Sequence, residues 1–395
     1  MKGLPVEAHD PAEGLPLQVV SFGAAEVNAA MECLVTTWVT MGKRVQTFEE
    51  EWADYCGATH GVMCNSGSSA NLLMLAGLVE TGRLQPGDEV LVPAVGWSTS
   101  LFPIAQVGLV PVLVDVDETL TIDVAAAARA IGPRTKAALA VHLLGQPADV
   151  VGLEDLGLLV AEDACAAPGA ERDGRRAGSM GIGGTFSFFF SHHLTTVEGG
   201  IVVYRDEELA NATRSLRAHG WVRERSDKEA LVARSPEIDE RFLFVSAGWN
   251  LRPTEMAGAM GTEQLKRLPA WIERRRSNHD QWCALLDDLD GLTLFPQRAG
   301  EVHAAFAFPL LLDPDRDRAA VMRHLESRGI QTRPVSGSNL ARQPAFERVP
   351  GARIAGQLDM ADRIHTHGLF VGNSHAFGPG HGELLREALE EALNG

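Results

Sequence analysis

Short valine-rich runs alternate with helix-patterned stretches through the first two thirds of this chain, and that alternation limits the possible folds more than any other feature. The runs are Glu89–Val95, Val110–Val116, Ala137–Leu144, Leu156–Ala161, Thr185–Phe190 and Ile201–Tyr204, while Ser69–Glu80 carries apolar residues at helical spacing. The runs are apolar on both faces. Strands of that kind belong to a mainly parallel sheet covered by helices on its two sides. The expected fold class is therefore α/β. In such sheets the ligand sits at the C-terminal ends of the strands, so the residues just after each run are the ones to inspect.

From Thr254 to about Leu289 the pattern reads as one long helix, with Arg274–Arg276 as a solvated outer stripe. Turn signals in Gly291–Gly300 mark a boundary. Beyond it a smaller α+β unit is expected, with a strand near Ala304–Leu312 and helices near Arg316–Arg328 and Glu383–Leu393. The organisation expected is a flexible arm over residues 1–20, a large domain over 21–290 and a small domain over 291–395.

The formal charge of −17 argues against a nucleic-acid partner, which needs a clustered basic surface. No run reaches membrane-spanning length and the N-terminus lacks a signal-peptide core, so a soluble cytoplasmic protein is expected. The five cysteines (Cys33, Cys56, Cys64, Cys165 and Cys283) are dispersed without a CxxC pair, so neither disulfides nor a metal site is expected. Only five lysines are present, at positions 2, 43, 136, 228 and 266.

Three motifs carry chemistry. Asn65-Ser66-Gly67-Ser68-Ser69-Ala70-Asn71 opens an apolar helix whose free N–H groups and dipole suit an anion, although a plain capped helix has the same look. The apolar run Leu158–Ala161 ends in Glu162-Asp163, where a carboxylate can pair with a protonated ring nitrogen or serve as a helix N-cap or structural ion pair. The aromatic run Thr185-Phe186-Ser187-Phe188-Phe189-Phe190 leads into Ser191-His192-His193 and then Glu198-Gly199-Gly200. Adjacent side chains in extended backbone face opposite ways, so one histidine should enter the site and the other should not.

In order and spacing these motifs, with Gly248-Trp249-Asn250-Leu251-Arg252-Pro253 after them, resemble the sugar aminotransferase family named after the DegT, DnrJ, EryC and StrS proteins. The resemblance runs from about Thr37 to the C-terminus. It implies a fold-type I pyridoxal-phosphate enzyme with a large cofactor-binding domain and a smaller C-terminal α+β domain. The sixth position counted from Ser187 is the family's cofactor-anchoring lysine, and here it is His192. That substitution resembles the pyridoxamine-phosphate-dependent sugar 3-dehydratase branch.

Residue by residue, the resemblance implies that Gly67, Ser68 and Ser187 hold the cofactor phosphate and that Trp97 stacks on the ring. Asp163 would pair with the ring nitrogen, and His192 would be the base. His219 would line the sugar pocket. Asn250 would reach the phosphate bound by the partner subunit, making an obligate homodimer with composite sites. The cofactor would be pyridoxamine or pyridoxal phosphate held without a covalent bond. The substrate would be a nucleotide-linked 4-keto-6-deoxyhexose, with L-glutamate as amino donor and release of ammonia. No iron–sulfur cluster is expected, because the cysteines are scattered. Core packing is the alternative for Trp97. For the whole chain the alternatives are an aminotransferase acting on another ketone and a non-catalytic cofactor binder.

Overall fold

The computed structural model describes residues 8–394. Its centre is an eight-stranded sheet of β1 (His60–Cys64), β2 (Glu89–Pro93), β3 (Val110–Val114), β4 (Thr135–Val141), β5 (Leu159–Asp163), β6 (Gly183–Ser187), β7 (Gly200–Tyr204) and β8 (Arg353–Ile354). In space the order is β1-β7-β6-β5-β4-β2-β3-β8. Neighbours are parallel except for β7, which lies antiparallel between β1 and β6. Parallel neighbours need crossovers, and the intervening helices bury both faces. The expected α/β class and mainly parallel sheet are confirmed.

One face is covered by the helix Gly67–Glu80, which is buried almost all round. The other face carries Lys43–Cys56 and Val124–Ala130. There Trp52 packs edge-on against Phe186 and Phe188, with centroids 5.2 and 4.7 Å away. Side chains alternate along a strand. With both phenylalanines on the Trp52 side, Ser187 between them faces the helix Gly67–Glu80.

A second, antiparallel sheet joins Leu292–Thr293, Ala307–Leu312, Gly368–Gly372 and Thr332–Pro334 in that order. Its core includes Trp282, Phe308, Leu310, Leu369 and Leu385. The expected strand and both helices of this region are present, the helices as Arg318–Ser327 and Pro379–Asn394. The short β8 also comes from this part of the chain but joins the large sheet. Arg353 anchors it there by donating to the buried Glu89 carboxylate at 2.6 Å.

Four readings need correction. The single helix over 254–289 is two, Glu255–Leu265 and Leu268–Leu286, because Pro269 fits only the first turn of a helix. Arg275 is no part of a solvated stripe: it is buried and donates to the carbonyls of Phe306 and Asn373. The segment read as a free arm is docked from His9, whose amide donates to the Ala376 carbonyl. Leu15 is fully buried and exchanges backbone hydrogen bonds with the Gly329–Gln331 segment. Residues 1–7 lie outside the described residues. Finally, β1 was not read as a strand, because His60-Gly61-Val62-Met63-Cys64 is short and lacks a valine-rich pattern; full pairing with β7 makes it one. Among the described residues no helix is long and apolar enough to cross a membrane.

Candidate active site

β5 delivers Glu162 and Asp163 at its C-terminal end, and the pleat separates them. Glu162 turns to one side, where it accepts from the amides of Gly178 and Gly181 and hydrogen-bonds His142 Nε2 at 2.9 Å. It is consumed by structure. Asp163 turns to the other side, where its Oδ2 accepts from Asn71 Nδ2 at 2.8 Å and Ser100 Oγ at 2.7 Å. Thr185 Oγ1 donates to Asn71 Oδ1 at 2.6 Å, which fixes the orientation of that amide. Oδ1 of Asp163 takes one longer bond, 3.2 Å from the Cys165 amide. The two strong donors thus lock one oxygen and leave the other open to a further partner.

Ser66 caps the helix Gly67–Glu80, accepting from the Ser69 amide at 3.1 Å. The first amides of such a helix have no intrahelical acceptor and carry its positive dipole end. Gly67 is obligatory: a Cβ there would lie 2.5 Å from Ser187 Cβ and 2.9 Å from Ser187 Oγ. The same close approach explains Gly200, where a Cβ would meet the Ser66 carbonyl oxygen at 2.3 Å. Gly67 and Ser187 therefore share one small cradle, and Ser68 lies exposed beside it.

Trp97 precedes the helix Ser98–Gln106, the one that supplies Ser100, and is 62% exposed. Such exposure rules out core packing and leaves an indole face free. The expected divergence of His192 and His193 is not seen: they lie in a bend, not in extended backbone, and both rings pack against Phe306. His193 is buried and binds the Ala304 carbonyl through Nε2 at 2.8 Å. His192 packs against Phe306 with ring centroids 5.3 Å apart, and its buried Nδ1 has no hydrogen-bond partner. Burial pushes the His192 pKa down to about 4, with the Asp163 charge opposing and Arg275 reinforcing the shift. Its ring is neutral at physiological pH.

His219 and Asn250 form a separate pair. The His219 amide donates to the Trp249 carbonyl, and Ala218 bridges Asn250. Asn250 is exposed, its Oδ1 accepting from Arg252 Nε at 2.9 Å. Within one chain this pair's segment is tied toward the cradle by the Asn65 amide, which donates to the Leu251 carbonyl at 3.0 Å. The lysines are elsewhere. Lys43 and Lys136 are exposed, Lys228 pairs with Glu240, and Lys266 pairs with Glu263; Lys2 is outside the described residues.

The reading from sequence missed Asn71, Ser100, Thr185, Phe306 and Arg275 as neighbours of the site. A signal existed for Asn71, a lone amide leading into the apolar run Leu72–Val79 of its helix. The donor set fits a planar cofactor bearing a phosphate and a ring nitrogen: a helix N-terminus with a glycine cradle, an open carboxylate oxygen and a free indole face.

The DegT/DnrJ/EryC1/StrS aminotransferase family matches residues 21–383. The chain belongs to this family. Among characterised members, GDP-4-keto-6-deoxy-D-mannose 3-dehydratase of Yersinia pseudotuberculosis is 40% identical, covering 91% of this chain and 93% of that protein. A solved structure of a GDP-4-keto-6-deoxymannose-3-dehydratase, a histidine-to-asparagine variant with bound GDP-perosamine, superposes with a TM-score of 0.90 at 36% identity; the match covers 95% of this chain and 100% of that one. A second structure of that enzyme, holding a trapped PLP-glutamate geminal diamine, gives the same TM-score, identity and coverage.

Proposed function

We propose that this chain is a 3-dehydratase that removes the C3 hydroxyl of a GDP-linked 4-keto-6-deoxyhexose, using pyridoxamine phosphate that it does not anchor covalently. The observation that carries the reading is His192. It stands where the family's anchoring lysine is expected, none of the described lysines approaches the site, and the surrounding cradle is intact. The characterised relative named above shares this activity, and the superposed structures hold a GDP-sugar and a PLP-glutamate adduct, which supports the same substrate and amino donor here.

When bound, the cofactor supplies an amine for the C4 ketone and an electron-withdrawing ring that assists departure of the C3 hydroxyl. The Gly67 and Ser68 amides, with the Ser187 hydroxyl, would hold its phosphate at the helix N-terminus. Trp97 would cover the ring face, and Asp163 Oδ1 would pair with the ring nitrogen. His192 would move the protons, accepting one as a neutral imidazole and donating it to the leaving hydroxyl. In sum, glutamate is oxidised to 2-oxoglutarate, C3 of the sugar is reduced and ammonia leaves. We place the enzyme in the cytoplasm, with no iron–sulfur cluster in its cycle.

Mass spectrometry of products formed with glutamate from GDP-, CDP- and dTDP-linked 4-keto-6-deoxyhexoses tests the reading. The GDP sugar should yield a product one oxygen lighter, with ammonia released. A product that retains all its oxygens bar the C4 ketone, and carries nitrogen instead, would show an aminotransferase.

We also propose a homodimer whose sites are completed across the interface by Asn250 and His219 of the partner. Met31, Leu34, Val35 and Trp38 form an exposed apolar face, and Phe242, Phe244 and Trp249 are exposed on the segment leading to Asn250, as expected of surfaces awaiting a second copy. Asn250→Ala should weaken cofactor binding while the dimer persists. Sedimentation showing a monomer with tight cofactor binding would contradict the composite site.

A further inference from the structure

Two imidazoles meet without purpose in the structure as it stands. His279, on the helix Leu268–Leu286, and His303, on the segment entering the strand Ala307–Leu312, are both buried, with ring centroids 4.2 Å apart and planes inclined by 56°. Neither ring nitrogen of His303 has a hydrogen-bond partner, nor has Nε2 of His279. Buried polar atoms are nearly always paired, so His303 Nε2, orphaned though it faces a carboxylate, demands an explanation.

Asp280 supplies one. Its Oδ1 lies 3.7 Å from His303 Nε2 and 3.9 Å from His279 Nδ1. Both gaps are too long for hydrogen bonds. They are close to what a shared cation would impose, since tetrahedral ligands at 2.0–2.1 Å from zinc stand about 3.3 Å apart. Closing the difference takes about half an ångström per contact. The three ligand atoms already lie within 4.8 Å of one another.

We propose that His279, Asp280 and His303 form a binding site for a divalent cation of the zinc class, separate from the cofactor site. Two imidazoles and one carboxylate suit such a borderline ion, with water in the fourth position. The Asp280 side chain is 58% exposed, so the ion has an entrance and a place for its water. Arg276, the nearby positive charge, is paired with Glu273. Cys283 Sγ lies 3.7 Å from His279 Nδ1, within hydrogen-bonding distance for sulfur. The ion would staple the helix to the segment carrying Phe306, against which His192 packs.

Full-length holoenzyme, stripped with chelator, should be dialysed against Zn²⁺ and analysed for bound metal and melting temperature. One zinc per chain and a raised melting temperature are expected. Loss of an outer partner typically costs about 10–100-fold in affinity, so removing a direct ligand by His303→Gln or Asp280→Asn should cost at least that. If His303→Gln does not fold, the exposed Asp280→Asn decides alone. No saturable binding, or wild-type affinity in Asp280→Asn, overturns the site.

Discussion

Replacing His192 with asparagine should slow dehydration by about 10²–10⁴-fold, the usual contribution of a general base, while the cofactor still binds. Asparagine keeps the size and polarity of the side chain but cannot accept a proton. The phosphate cradle at Gly67 and Ser187, the Trp97 face and Asp163 are untouched by the change, so ultraviolet–visible titration with pyridoxal phosphate should show near-normal affinity. A variant keeping most of its activity would move the base elsewhere, with His219 the next residue to test; His193 is already committed to the Ala304 carbonyl. The pH profile gives a second check. A histidine lowered to about 4 is deprotonated well below the ordinary value near 6.5. The acid limb of kcat/KM should therefore not be centred at 6.5 but lie below it, activity falling only as pH drops toward the lowered value. A limb at 6.5 would show that the base is a solvated imidazole.

Asp163→Asn should be comparably damaging for a different reason. The carboxylate is held by Asn71 and Ser100 on Oδ2, so its charge is aimed and cannot rotate away. An amide in its place either turns its NH₂ toward those two donors or presents it toward the open side, where a protonated ring nitrogen needs an acceptor. Either way the negative charge is lost. Removing one preorganised electrostatic group from a water-excluded site typically costs about 10²–10³-fold, and that loss is expected in both the glutamate half-reaction and dehydration. Stopped-flow measurement of each half-reaction would separate this from a folding defect, since circular dichroism should be unchanged. A variant within tenfold of wild type in both would remove Asp163 from the ring-nitrogen role.

Much of this site was legible along the chain because its motifs are local. A helix N-terminus, a strand end and a Phe-Ser-Phe alternation each follow from backbone periodicities a few residues long. The identity of position 192 was readable for the same reason: a count of five residues on from Ser187 needs no tertiary information. The choice of Asp163 over Glu162 rested on family resemblance until the pleat of β5 showed Glu162 spent on His142 and two amides.

What could not be read shares one property: it depends on residues far apart in sequence. Arg275 looked solvated because its neighbours Arg274 and Arg276 are charged, yet its partners are the carbonyls of Phe306 and Asn373, 31 and 98 residues away. Leu15 is pinned by the Gly329–Gln331 segment, so no window around it could show that it is buried. The Ser100–Asp163–Asn71–Thr185 network joins two strands and two helices in one chain of hydrogen bonds. Periodicity and local motifs report which face of an element is apolar and which residue ends it. They carry no information on which distant group will satisfy a buried donor, and that pairing is made only when the sheet and its helices close around one another.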